Sequence, residues 1–113
     1  MNVQTNSQKM AQAAYQRIVQ RKPGEKFVSF AREFPSLVHS CGLAQAVAFA
    51  KAKHHEDYLQ DLAAVLTTIG HSEARSPDSL EAATRERSVP AYVRLSRNAL
   101  QAAGWLKRYV EAV

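Results

Sequence analysis

The chain has 113 residues, 46% of them hydrophobic, with four glycines, four prolines and a formal net charge of +5. This length predicts one domain that can bury about two-thirds of its unfolded surface and fold by itself. The few glycines and prolines argue against an all-β sandwich. No segment approaches the ~18 unbroken apolar residues of a membrane span. The polar N-terminal segment argues against a secretory signal.

The first two helices are predicted on either side of a Pro23-Gly24 break. Apolar residues at helical spacing predict the first helix over residues 7–21. The second helix is predicted over residues 25–34, because Pro35 disfavours helical geometry at the residue before it. A kink or a new start is expected at that proline, followed by a short helical turn over residues 36–40.

Residues 42–53 are predicted to form the central helix of the domain. Between Leu43 and Ala50 the only polar side chain is Gln45. A helix that is apolar nearly all round is expected to be buried on several sides, with the other helices packed around it. If Gln45 is buried there, it needs hydrogen-bond partners, either a backbone group of the same fold or a neighbouring subunit.

Three further elements are predicted after the central helix. A clean amphipathic pattern predicts a helix over residues 57–69. The polar residues 71–79 are predicted to form a loop, and residues 80–87 only a weak, exposed helix. An unbroken pattern predicts the last helix over residues 90–113, with its proline in the first turn. The whole chain, residues 1–113, is therefore expected to be a single compact all-α domain of about six helices.

The charge is distributed unevenly along the chain. Residues 1–32 hold six Lys/Arg and one acid, residues 33–84 hold three and seven, and residues 85–113 hold six and two. The two ends are basic and the middle is acidic, so folding is expected to produce a polarised surface. Such a surface fits a polyanion on one side and a basic protein neighbour on the other.

The last helix carries a row of residues beside its apolar stripe, spaced by three or four positions: Arg94, Arg97, Gln101, Trp105 and Arg108. One interpretation is that Trp105 covers a flank of the core while the arginines remain solvated. The other is that the row is an interface, since Trp and Arg are favoured anchors of binding surfaces. The same residue types suit RNA, through phosphate contacts and base stacking.

Residue types that carry catalysis do not form a recognisable site in the sequence. The adjacent His54 and His55 project about 100° apart on a helix, which is poor geometry for one metal ion. A metal-dependent nuclease is a rival hypothesis, and its metal site would need His54 and His55 together with Asp57 and His71. The single cysteine, Cys41, cannot form an intramolecular disulfide and favours a reducing cytoplasm. With no Walker loop, GxSxG or CxxC motif, we expect no catalytic residue, no metal and no cofactor.

Two stretches of the chain, FPSLVHSCGLAQAVAFAKAK and NALQAAGWLKRYVEAV, resemble the small helical subunit of the Cmr effector complex, the type III-B CRISPR RNA-guided system. The central motif of that family is matched by Pro35, Gly42, Leu43, Gln45, Ala46, Ala48 and Phe49. The C-terminal motif, W-L-K-R followed by an aromatic or apolar residue, falls on residues 105–109. Cys41 stands where the family has asparagine, and Ala44 stands where it has a second glycine.

The resemblance implies a non-catalytic subunit of a ribonucleoprotein for antiviral defence. Several copies would stack beside the backbone subunits that hold the guide RNA, and the groove between them would receive target RNA that other subunits cut. A free-standing helical nucleic-acid-binding protein is the alternative. Neither hypothesis involves a membrane or a small-molecule substrate.

Two sets of candidate contact residues follow. The RNA-contact candidates are basic: Arg17, Arg21, Lys22, Lys26, Lys51, Lys53, Arg94, Arg97 and Arg108. The subunit-interface candidates are Gln45, Glu56, Asp57, Asp61 and Trp105, of which the three acids would form the acidic side that meets a neighbouring subunit.

Overall fold

Helices make up nearly all of residues 3–112, the part of the chain that this computed structural model describes. The helices are α1 (Asn6–Arg21), α2 (Glu25–Cys41), α3 (Leu43–Ala52), α4 (Glu56–Thr67), α5 (Pro77–Glu86) and α6 (Val89–Ala112), with a 3₁₀ turn at Ser72–Ala74. The all-α fold and the expected number of helices are thereby confirmed. Val113, the predicted end of the last helix, lies outside the described residues.

The helix that packs against every other helix of the bundle is α4, and the prediction that residues 42–53 hold the central position is wrong. α6 has 24 residues and packs against α1, α2 and α4. α3 packs against α2, α4 and α5, and it buries only one stripe, Leu43, Ala46, Val47 and Ala50. Its other sides are exposed at Gln45, Ala48 and Phe49. The apolar character of α3 comes largely from alanines, which have little surface to bury and therefore do not require a central position.

The second correction concerns Pro35, which does not end α2. The helix continues from Glu25 to Cys41 with Pro35 inside it. Proline removes one backbone hydrogen bond of the helix, but Phe34 and Val38 on either side of it are buried in the core. Packing of this apolar face therefore outweighs the local preference of proline.

The third correction concerns the segment predicted as a loop and a weak helix. α5 begins at Pro77, inside the predicted loop, because Ser76 forms a capping box with Ser79 and proline is well suited to the first helical position. Leu80 is fully buried. This helix is consequently part of the core and not an exposed appendage.

Gly42 connects α2 to α3 with φ of 87°, a backbone conformation that favours glycine. Because Gly42 has no side chain to cap α3, the backbone N–H of Ala44 donates instead to the hydroxyl oxygen of Tyr92 in α6, at 3.1 Å. The cysteine beside it donates its thiol hydrogen to the carbonyl of Leu37 at 3.1 Å. The junction thus accommodates both positions at which the sequence departs from the family motif.

Candidate nucleic-acid and subunit interface

Two of the predicted RNA contacts, Arg17 and Arg21, converge on one buried carboxylate. They are one turn apart on α1, so both reach Asp61 on the neighbouring α4. Arg17 donates its Nε–H to Asp61 Oδ1 at 2.8 Å, and Arg21 donates to both carboxylate oxygens, at 2.5 and 2.9 Å. The Asp61 side chain is fully buried, and its hydrogen bond to Arg21 raises the pKa of that guanidinium. Both arginines therefore have a structural contact that joins α1 to α4.

The same contact places Asp61 inside the fold and not on the acidic surface that the sequence predicts. A third basic candidate, Lys51, is also engaged, since its ammonium lies 2.5 Å from Asp78. Three of the ion pairs connect a basic end of the sequence to its acidic middle: Arg17–Asp61, Arg21–Asp61 and Arg85–Glu81. Part of the expected charge separation is therefore neutralised when the chain folds.

The other six RNA-contact candidates have exposed side chains: Lys22, Lys26, Lys53, Arg94, Arg97 and Arg108. Among residues 3–112, no carboxylate lies within 4.0 Å of their charged groups. Their contact with RNA stays a prediction. They are the cations that a phosphate could approach without breaking an internal ion pair.

Two of these cations belong to a surface that we call the Phe49 patch, formed by Lys26, Phe49, Lys53 and His55. The Phe49 side chain is 42% exposed, and the Lys53 ammonium lies 5.9 Å from its ring centroid. Burial, followed by the charge of Lys26, lowers the pKa of His55. Because a lowered pKa favours the uncharged form, His55 presents a neutral ring at neutral pH.

The patch is backed by the buried ring of Phe30. The His55 ring stacks on it with a centroid separation of 3.8 Å and an interplanar angle of 9°, and the Phe49 ring lies 6.4 Å away at 11°. In the sequence, Phe49 stands out as part of an apolar helix and of the family motif, and neither feature indicates an exposed ring. The spacing of four between Phe49 and Lys53, off the buried stripe, is the signal that could have indicated an exposed aromatic–cation pair.

A second aromatic surface surrounds Trp105 on α6. The Arg108 guanidinium lies 5.1 Å from the Trp105 ring centroid, and Trp105 stacks on Tyr109, which Tyr15 of α1 meets edge-on. Trp105 is half-buried and packs against the core. The structure therefore agrees with the interpretation that Trp105 covers a flank of the core, while Arg108 remains exposed on its outer face. A subunit contact of Trp105 stays a prediction.

The remaining subunit-interface candidates, Gln45, Glu56 and Asp57, are exposed. Within residues 3–112 the Gln45 side chain forms no hydrogen bond, so it does not bind a backbone group of its own fold. Glu56 and Asp57 lie in the first turn of α4, where negative charge is favourable for the helix dipole. Their contact with a neighbouring subunit stays a prediction.

The histidines of the nuclease hypothesis have separate surroundings. His71 is buried, accepts a hydrogen bond from the Asn98 amide at 2.8 Å and lies 3.2 Å from Glu73. Burial by itself would raise the pKa of the Glu73 carboxyl group. The hydrogen bonds of Glu73 with its own backbone and with His71 outweigh this effect, so the pKa of Glu73 lies below its usual value. In the described part of the chain, no three His, Cys, Asp or Glu side chains form a group that could hold a metal ion.

No helix within residues 3–112 has both the length and the apolar character needed to cross a membrane.

Comparison with known proteins gives consistent matches over nearly the full length. The family model of the CRISPR-associated protein Cas_Cmr5 matches residues 6–113. The chain is 36% identical over 117 residues to the CRISPR system Cmr subunit Cmr5 of Thermus thermophilus, with 98% of this chain and 97% of the relative covered. It also superimposes on the X-ray crystal structure of a CRISPR-associated Cmr5 family protein from the same organism. That match has a TM-score of 0.85 at 36% identity and covers 96% of this chain and 97% of the other.

Proposed function

Because this chain belongs to the Cmr5 family of CRISPR-associated proteins, we propose that it acts as a non-catalytic small subunit of the type III-B Cmr complex and helps to hold target RNA. Copies of the chain stack along the backbone of the complex, in the cytoplasm, next to the guide RNA and its target. The role serves antiviral defence. Recognition of the target sequence comes from base pairing with the guide.

The observation that supports the RNA-holding role is the set of six exposed cations that have no carboxylate neighbour among the described residues. Phosphate neutralisation by such cations gives affinity with little sequence preference. This property suits a subunit of a complex in which the guide RNA supplies the specificity. The arginines bound to Asp61 are less suited to the task, because a phosphate would have to compete with a buried carboxylate.

The test is a Cmr complex reassembled with this chain carrying Arg94→Gln and Arg97→Gln. We expect the complex to assemble normally and to bind target RNA more weakly. The slope of log affinity against log salt should fall by about 0.7 for each phosphate contact removed. The matched control is Arg32→Gln with Arg85→Gln, which removes the same charge from arginines that already pair with Glu111 and Glu81.

Three outcomes would contradict the proposal. A complex assembled without this chain could bind target RNA with unchanged affinity and salt slope. The isolated chain could bind RNA as tightly as the complex does, which would support the free-standing alternative. RNA cleavage by the isolated chain that requires a divalent ion and is lost in His55→Ala would support the nuclease.

A further inference from the structure

We propose that the Phe49 patch is a binding site for single-stranded RNA, in which an unpaired base stacks on the Phe49 ring and adjoining phosphates bind Lys26 and Lys53. This inference rests on the proposed function, because it assigns RNA contact to one defined surface of the chain. It also adds base stacking by an aromatic side chain to the role of the exposed cations.

The position of the Phe49 ring favours stacking of a base. The stripe on the opposite side of α3 is fully buried, whereas the Phe49 side chain is 42% exposed. Its ring lies nearly parallel to the buried ring of Phe30, which is fixed in turn by contacts with Phe34 and Tyr58. Because Phe49 is already held against the core, stacking of a base on it requires little additional ordering of the protein.

The charges around the Phe49 ring favour a short stretch of single-stranded nucleic acid. The Lys53 ammonium lies over the Phe49 ring, 5.9 Å from its centroid, on a flexible side chain that can move aside for a base and bind the adjoining phosphate. Lys26 is close enough to His55 to lower its pKa. The carboxylates of Glu33, Glu56 and Asp57 also act on His55, in the opposite direction. Since the patch is not uniformly positive, stacking together with two cations fits one or two unpaired nucleotides better than the backbone of a duplex.

An exposed phenylalanine can contact RNA or a protein partner, and the lysines of the Phe49 patch favour RNA. The cores of protein–protein interfaces are depleted in lysine. Phe49, by contrast, has the Lys53 ammonium over its ring, and Lys26 acts on His55 in the same patch. Aromatic rings next to cations are the usual composition of surfaces that bind single-stranded nucleic acid.

The experiment measures binding of the target RNA by the reassembled Cmr complex with Phe49→Ala, Phe49→Tyr or Val93→Ala in this chain. We expect Phe49→Ala to weaken binding by roughly 5- to 150-fold, the usual contribution of one stacked base. Phe49→Tyr keeps the ring and should retain the affinity within about twofold. Val93 is a 47% exposed apolar residue on α6, so Val93→Ala is the matched control and should have no effect. Thermal unfolding of each isolated variant checks that the chain still folds.

A second measurement locates the contact directly. Target RNA that carries 4-thiouridine is bound to the wild-type complex and irradiated, and the crosslinked peptide is identified by mass spectrometry. We expect a crosslink to the peptide that contains Phe49, and its loss in Phe49→Ala. Crosslinks confined to α6 would overturn the inference.

The outcomes separate this inference from the proposed function. If the complex binds RNA normally with Phe49→Ala but weakly with the Arg94 and Arg97 variant, the inference fails and the proposed function stands. If omission of the chain leaves RNA binding unchanged, the proposed function fails as well. If the Phe49→Ala and Phe49→Tyr chains fold but do not join the complex, the patch is a protein interface and the inference is wrong.

Discussion

Two regions of the molecule, the α1–α4 contact and the Phe49 patch, both combine cations with an aromatic ring. They differ in whether the cations have an internal carboxylate partner. In the first, Arg17 and Arg21 bind the buried Asp61, and Arg21 also lies over the Phe27 ring at 5.3 Å. In the second, Lys53 lies over an exposed ring and Lys26 acts on the nearby His55, and no carboxylate among residues 3–112 forms an ion pair with either lysine. The comparison shows that a cation next to an aromatic ring is available to a ligand only when it has no internal carboxylate partner.

The two regions are connected through the core by a continuous set of rings. Phe27 contacts Tyr58 at 5.8 Å between centroids, Tyr58 contacts Phe30 at 5.3 Å, and Phe30 lies against the Phe49 patch. The exposed patch is therefore held by the same packing that fixes the buried ion pairs. Changes at either region, or between them, test how far their roles differ.

The largest effect on stability is expected from removing both arginines of the α1–α4 contact. Arg17→Gln with Arg21→Gln leaves the buried Asp61 carboxylate without a charged partner, and breaking a buried pair in this way costs about 3–5 kcal/mol. The measurement is the free energy of unfolding in urea.

Its control is Arg94→Gln with Arg97→Gln, which makes the same change in net charge at exposed residues and should shift stability by no more than about 0.5 kcal/mol. Adding Asp61→Asn to the first variant removes the unpaired charge and should restore part of the loss. Equal destabilisation by the two double variants would remove the distinction between the regions.

A smaller effect is expected where α6 supports the helix that carries Phe49. Tyr92→Phe removes the acceptor for the Ala44 N–H at the start of α3, so stability should fall by about 1 kcal/mol. Hydrogen exchange should show faster exchange of the Ala44 amide, with little change in α1 or α4. Uniform acceleration across the whole domain would indicate that the bond supports the global fold and not α3 in particular.

The smallest effect is expected at Tyr58, between the two regions. Its hydroxyl is fully buried and has no hydrogen-bond partner among the described residues. Burial raises the pKa of Tyr58 well above its usual range, so the group stays neutral. Tyr58→Phe keeps the ring contacts and removes an unsatisfied polar group, so stability should be unchanged or slightly higher.

Thermal unfolding measures this change at Tyr58. A loss of more than about 1 kcal/mol would mean that the hydroxyl has a partner, such as a bound water molecule.

Much of this fold could be predicted from residue spacing, because an amphipathic helix records its buried face in the sequence. The helix predicted over residues 7–21 buries a stripe at helical spacing, Met10, Ala14 and Ile18, and the amphipathic pattern over residues 57–69 corresponds to the buried face of α4. Pro35 is an example in which local preference misled, because the buried aromatic face of α2 continues through it. At this position tertiary packing, and not the local preference of proline, determines that the helix continues.

The candidate surface was less predictable for a different reason. The pairing of Arg21 with Asp61 joins residues 40 positions apart, and no local pattern indicates which helices will meet. Phe49 appeared to be buried because the residues around it are apolar, whereas its exposure depends on where α2 and α4 leave α3 uncovered. The basic candidates could be collected from the sequence, but their division into paired and free cations required the structure.

The hydroxyl of Tyr92 also has a consequence for the order of events during translation. Tyr92, whose hydroxyl caps the first turn of α3, is synthesised 48 residues after Ala44. At the usual translation rate of 5–20 residues per second this delay is roughly 2–10 s. Until then the nascent α3 lacks the support of α6. We expect the first turn of α3 to become fully ordered only after Tyr92 has left the ribosome and docked against it, so this end of α3 is one of the last parts of the fold to form.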